Sequence, residues 1–218
     1  MHRKNMLGAS ESIFSIQREI PIVTKHRSPK EMSLTAVLFA GGESRRMGTD
    51  KATLIIHGEP LWKRQLNLLR LLQPDMVLLS ARVRPAWCPP EIEVVPDEPP
   101  SRGPLSGLVA ALGRSRTSHL LALAIDLPEM TAEHLQRLWQ LAVPAISVIP
   151  QSEQHYEPLG AIYAGETQST ATRLLALDKL SLQSLAEELV KTKRACVYHV
   201  SESERRLYRN LNSPGDLL

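Results

Sequence analysis

Residues 34–51, LTAVLFAGGESRRMGTDK, constrain the fold more than any other stretch of this chain. Leu34–Phe39 is a short apolar run that reads as a buried strand. Gly41 and Gly42 follow it directly, and Ser44, Arg45, Arg46, Gly48 and Lys51 come after them. Glycines let backbone N–H groups approach phosphate oxygens with no Cβ in the way. Arginine grips phosphate in a bidentate fork, and lysine adds a compact positive charge. A strand feeding such a loop suits a triphosphate. Two common phosphate loops are excluded by spacing. Gly48 is followed by Thr49 and Asp50, where a Walker loop needs Lys and then Ser or Thr. Gly41 and Gly42 are adjacent, which breaks the G-x-G-x-x-G dinucleotide pattern. Two glycines and two arginines alone would also suit a plain glycine-rich turn with a solvated basic face.

The rest of the chain extends this start into a layered α/β pattern. Short apolar runs at Met76–Leu79, Ile92–Val95, His119–Ile125, Ala145–Ile149, Leu159–Tyr163 and Cys196–His199 read as strands. Helical stripes lie between many of them. Leu61, Trp62, Leu66, Leu69 and Leu72 mark one, and Leu105–Leu112 begins another after Gly103 and Pro104. Thr131 is placed to cap a helix carrying His134, Leu135, Leu138 and Leu141. Two further helices are expected near Gln168–Leu177 and Leu182–Val190. Alternation at this spacing implies a Rossmann-like doubly wound, mostly parallel sheet with helices on both faces. Ligands then bind at the carboxyl ends of the strands. The segments after Phe39, Val95 and Ile125 all fall on that edge.

Charge and cysteine content exclude several functions. The net charge is +3 and the pI about 9.0. Residues 1–32 hold six Lys or Arg and three Asp or Glu, which leaves 20 basic and 20 acidic residues from Ser33 onward. A neutral body with 4% aromatic residues is a poor nucleic-acid surface. Cys88 and Cys196 are far apart and form no C-x-x-C pair. No apolar run is long enough to span a membrane, and the N-terminus lacks the apolar block of a signal peptide. The expected location is cytoplasmic. Residues 1–32 read as a flexible N-terminal extension, and 33–218 as the functional domain. The histidines form no H-x-x-x-H pair, and no G-x-S-x-G elbow is present.

Two further segments carry chemistry. Asp97, just past a strand in PDEPPSRGPLSGL, suits a ribose hydroxyl, a base N–H or a metal, and equally a simple turn. Asp126 follows the strand HLLALAI and precedes Leu127-Pro128. A carboxylate there can hold Mg²⁺, which prefers one or two carboxylates with phosphate oxygens and water. It could also serve as a turn or N-cap aspartate.

The loop A-G-G-x-S-x-R-M-G-x-D-K resembles the signature of sugar-nucleotide-type nucleotidyltransferases, and most closely that of the molybdenum cofactor guanylyltransferases. Similar segments follow at Asp97 with Gly103, Leu105 and Gly107, at Asp126-Leu127-Pro128, at EPLGAIY (157–163) and at NLNSPGDL (210–217). The resemblance spans about residues 34–217. It implies a nucleotide-diphospho-sugar-transferase-like fold and GMP transfer from GTP to molybdenum-molybdopterin. Phe39, Ala40, Gly41, Gly42, Lys51, Asp97, Gly103, Gly107 and Asp126 would line the nucleotide. Lys51, Arg45 and Arg46 would be catalytic, and Asp126 would hold Mg²⁺. The segment at 157–163 would lie near the acceptor. Molybdoenzyme apoproteins or other cofactor-biosynthesis proteins would be partners. Two departures leave base selectivity open. Ser80 stands where some relatives place a nucleotide-contacting asparagine, and the loop is one residue shorter than in certain relatives. Cytidylyl transfer, transfer to a sugar or polyol phosphate, and a non-catalytic cofactor-delivery role remain alternatives.

Overall fold

The computed structural model describes residues 32–40, 50–96 and 103–211. The expected extension up to Glu31, the loop 41–49 with Gly41, Gly42, Arg45 and Arg46, Asp97, and the ending from Asn212 lie outside the described residues.

β1 (Leu34–Phe39) is buried at every position, as its unbroken apolar sequence requires. A 3₁₀ turn, Lys51–Thr53, leads into a small hairpin of β2 (Ile55–Ile56) and β3 (Glu59–Pro60). The hairpin turn is His57-Gly58, and both residues have positive φ (50° and 86°), as the tight primed turns demand. α1 (Leu61–Leu71) follows, then β4 (Met76–Ser80), β5 (Glu93–Val95) and α2 (Pro104–Arg114). β6 (His119–Ala124) is again buried throughout, and α3 (Ala132–Leu141) starts at Thr131, whose side chain accepts from His134 N. The chain continues through β7 (Ser147–Ser152), β8 (His155–Tyr156) and β9 (Gly160–Ala164). α4 (Thr167–Ala176), α5 (Leu182–Lys191), β10 (Ala195–His199) and a 3₁₀ segment, Glu202–Tyr208, complete the described chain.

The main sheet has the order β10-β7-β9-β6-β1-β4-β5, with β8 paired to β7. β5, β4, β1 and β6 run parallel, so the first strand lies between the second and the fourth long strands in sequence. Connections from β1 and from β6 leave toward opposite sides, which makes the β1–β6 boundary the topological switch point. β9 breaks the parallel pattern and lies antiparallel to both β6 and β7. The short β7–β9 connection has no crossover helix, so a parallel return is impossible.

Two apolar cores cover the two faces. Leu34, Ala36 and Leu38 of β1 pack with Leu61, Leu66 and Leu69 of α1 and with Leu135 and Leu138 of α3. Val37 and Phe39 point the other way, toward Leu105 and Leu108 of α2, Leu174 of α4 and Leu185 and Leu189 of α5. This is the expected doubly wound arrangement. The strand expected from Ala145 begins instead at Ser147, because Ala145 is held at φ 62° in a turn closed by a Val143–Ile146 bridge. Among the described residues, no helix is long and apolar enough to cross a membrane.

Candidate functional site

The switch point brings together ends of the chain that are distant in sequence. At its rim Ile125 N donates to the Phe39 carbonyl at 3.0 Å, so Ala40 and Asp126 leave the sheet side by side. Ala40 N donates to the Ser80 carbonyl at 2.9 Å, and Ala81 N to the Val95 carbonyl at 3.3 Å. The carboxyl ends of β1, β4, β5 and β6 therefore share one edge. Phe39 contributes a side chain to the core and a carbonyl already taken by Ile125. Ser80 is also buried, so its side chain is a weak nucleotide contact.

Asp126 sits at the tip of β6 and is partly buried. Burial raises its carboxyl above the ordinary aspartate range, and the nearby Lys51 ammonium partly offsets that rise. The backbone around Asp126 is pinned from α1. Gln65 Nε2 donates to the Leu127 carbonyl at 2.7 Å, and Arg64 Nε donates to the Pro128 carbonyl at 3.0 Å. Gln65 is buried on the apolar face of its helix. A buried amide there is retained because it satisfies strand-end carbonyls that have no ladder partner.

Lys51 reaches the same place from another element. Asp50 caps its 3₁₀ turn by accepting from Ala52 N at 3.0 Å. The other Asp50 oxygen accepts from Trp87 Nε1 at 2.8 Å, and Trp87 stacks on Trp62 of α1 with ring centroids 5.6 Å apart. Fixed at its base, the lysine extends so that Nζ donates to the Leu211 carbonyl at 2.7 Å. Leu211 N in turn donates to the Asp126 carbonyl at 2.8 Å. One residue near the C-terminus thus bridges the two strongest sequence candidates, which lie 75 positions apart.

Gly103 and Gly107 belong to α2, which starts at the same edge after β5. Gly103 is the N-cap at φ 83° and ψ −171°, a conformation open essentially to glycine alone. Pro104 occupies the first helical position, where its missing N–H costs nothing. The positive end of the helix dipole faces the binding edge, which favours an anion there. Gly107 lies buried one turn into the helix.

The segment 157–163 divides into two parts. Tyr163 is fully buried, and its hydroxyl donates to the Pro158 carbonyl at 2.7 Å, so it supports the fold. Glu157 is half-buried, and that burial raises its carboxyl above the ordinary glutamate range. Sequence reasoning missed Gln65, Trp87 and Leu211. Gln65 left a signal as a polar residue set between Leu61 and Leu69 on an apolar stripe, and Leu211 lies in the family-like segment 210–217, though its backbone role was not read from it.

This arrangement can hold a polyanion between a lysine, a carboxylate and a helix N-terminus, with no side-chain nucleophile at its centre among the described residues. The chain as a whole is similar to known proteins. The family model described as "MobA-like NTP transferase domain" matches residues 36–206. A protein of Opitutus terrae named "Probable molybdenum cofactor guanylyltransferase" is 33% identical, covering 87% of this chain and 95% of its own. One of the same name from Natronomonas pharaonis is 30% identical, covering 84% and 94%. The crystal structure of molybdopterin-guanine dinucleotide biosynthesis protein A from Archaeoglobus fulgidus has the same fold. It superposes with a TM-score of 0.62 at 24% identity, over 84% of this chain and 94% of that one.

Proposed function

The chain belongs to the MobA-like NTP transferase family, and from that premise we propose that it transfers GMP from GTP to molybdenum-molybdopterin. The products would be molybdopterin guanine dinucleotide and pyrophosphate. The observation that carries this reading is the junction at the switch point, where Leu211 joins Lys51 to Asp126. Relatives named as guanylyltransferases across nearly their whole length support the choice of donor and acceptor.

In this mechanism a terminal phosphate oxygen of the acceptor attacks the α-phosphorus of GTP. A new P–O bond forms in line as the bond to the β-phosphate oxygen breaks, and pyrophosphate leaves. Such a reaction needs positioning and charge stabilisation more than covalent catalysis. Lys51 meets the charge that grows on the leaving pyrophosphate. Arg45 and Arg46 are assigned the same task, and Gly41 and Gly42 the close backbone approach to the phosphates. Asp97 is assigned to the nucleoside, and the N-terminus of α2 at Gly103 to an anionic group. Asp126 suits Mg²⁺, because a partly buried carboxylate beside a phosphate site is the donor set this ion prefers. Held there, Mg²⁺ would supply positive charge that offsets the negative charge of the phosphates. The reaction is that of a soluble cytoplasmic enzyme, and cofactor-biosynthesis proteins or molybdoenzyme apoproteins would take its product.

Pyrophosphate release tests the reading, with GTP, CTP, ATP and UTP each offered with Mg²⁺ and with or without molybdenum-molybdopterin. Release with GTP alone, and only with that acceptor, is expected. Release with CTP alone would move the protein to cytidylyl transfer. Lys51→Ala and Asp126→Ala should each lower turnover by about 10²–10³-fold with the fold intact. Near-normal rates in both would overturn the proposal.

A further inference from the structure

The chain that delivers Leu211 is anchored by a polar cluster beyond the switch point itself. His134 of α3 is fully buried, and its Nε2 lies 2.6 Å from the Tyr208 hydroxyl. Its Nδ1 faces Glu204 Oε1 at 3.4 Å. Glu204 also accepts from the Tyr198 hydroxyl at 2.7 Å, from Ser201 N at 3.0 Å and from Ser201 Oγ at 2.8 Å, and Arg137 stands 3.5 Å away. The imidazole meets the Tyr198 and Tyr208 rings edge-on. From the other side Gly160 of β9 backs Tyr208 closely. A Cβ on Gly160 would come within 2.7 Å of the tyrosine ring. Burial favours neutral His134; its Nδ1 makes no hydrogen bond and only faces the Glu204 carboxylate, so the close contact of the ring is Nε2 with the Tyr208 hydroxyl.

Tyr208 and Leu211 are three residues apart, so this cluster sets where the Leu211 backbone can lie. Leu211 then meets Asp126 through its N–H and Lys51 through its carbonyl. The choice of a carbonyl has consequences. A carboxylate partner would cancel the lysine charge, whereas a neutral carbonyl fixes the ammonium and leaves its charge for phosphate. Lysine carries about 2 kcal/mol of rotamer entropy, which such a contact removes before substrate arrives. A backbone carbonyl cannot be re-aimed by a rotamer change. Its position is set by the anchor together with the Leu211 N–H bond to the Asp126 carbonyl and the buried Leu211 side chain.

We propose that His134, Glu204 and Tyr208 are positioning residues for Lys51, acting through the Leu211 carbonyl rather than by touching substrate. The activity consequence rests on the nucleotidyl-transfer reading; the placement of Lys51 does not.

The test combines amine labelling with kinetics in Tyr208→Phe, which removes one hydroxyl, and in Glu204→Gln, which keeps the side-chain volume. Trace acetylation followed by peptide mass spectrometry should show Lys51 reacting several-fold faster in both variants, with exposed Lys63 unchanged. Turnover with GTP should fall about 10- to 100-fold while KM for GTP stays within about twofold. In a Lys51→Ala background, Tyr208→Phe should have no further effect. Unchanged Lys51 labelling in both folded variants would overturn the proposal, as would a full additive loss in the Lys51→Ala background. Labelling needs no turnover. A wild-type protein inert toward every nucleotide would defeat the functional reading while labelling still judged the anchor.

Discussion

Asp126 is held in a state that costs the fold stability. Its carboxyl is raised mainly by burial, so at neutral pH the native state carries a carboxylate that the unfolded chain would solvate better. The sign follows from linkage: a raised acid pKa means that stability falls as pH rises through the folded value. Asp126→Asn removes the charge and keeps the shape. It should lower pyrophosphate release by about 10²–10³-fold yet stabilise the protein, by an amount on the order of 1 kcal/mol. For a domain of this size that is about 2–4 °C in Tm. A calorimetric scan checks it, and a lower Tm would show that Asp126 is stabilising instead. Such a trade between stability and activity is typical of a charge kept for a ligand. The sequence exposed this residue because its position, after an apolar strand and before Leu-Pro, is set by local pattern. It could not expose Leu211, whose role is carried by two backbone atoms that any residue would supply.

At the scale of elements, α1 does more than cover the sheet. Gln65 gives up a place in the apolar stripe to hold the Leu127 carbonyl, and Arg64 holds the next one at Pro128. Replacing Gln65 by Leu leaves the Leu127 carbonyl with only its longer bond from Met130 N at 3.2 Å. The expected cost is about 0.5–1.5 kcal/mol of stability, read as a lower urea midpoint. Turnover should drop as well, because the loosened Leu127 carbonyl lies next to Asp126. Helices and buried strands were legible to within a residue or two wherever apolar period decided them, as for β1, α1 and β6. The antiparallel β9 was legible in principle. No helical stripe separates its run from the preceding strand, and a parallel return needs a crossover. The β2–β3 hairpin and both 3₁₀ segments escaped because they are too short for any period to register. The Trp62–Trp87 stack and the anchor of Tyr208 escaped because they join side chains from elements far apart in the chain.

The whole molecule should lose stability toward acid in a way that two buried histidines dictate. His119 and His134 are both inaccessible to solvent, and desolvation lowers the pKa of each below the ordinary 6.5. His119 hydrogen bonds the Val143 and Ile146 carbonyls and feels Glu166. His134 is faced by Glu204, Arg137, Tyr198 and Tyr208. A histidine kept neutral in the native state binds fewer protons than its unfolded counterpart below pH 6.5. Its contribution is therefore complete above that pH and is lost as pH falls toward the folded value. Each can impose a slope of at most about 1.4 kcal/mol per pH unit. Glu204 acts later. Its hydrogen bonds from Ser201 and Tyr198 hold it at about 2 against an ordinary 4.5, so its contribution is lost only below pH 4.5. Asp126 and Glu157, whose pKa values are raised, work in the opposite direction as they protonate. The two effects separate by variant. Urea midpoints between pH 7.5 and 5.5 should fall in the wild type, and the fall should shrink by about half in His134→Gln. The midpoint of that variant can be lower at every pH; the slope is what identifies the histidine. An unchanged slope would mean that His134 binds protons alike in the native and unfolded states, and a steeper fall would mean that it is held protonated in the native state. The Tyr208 anchor would then rest on an imidazolium held by Glu204 rather than on a neutral ring in contact with the tyrosine hydroxyl.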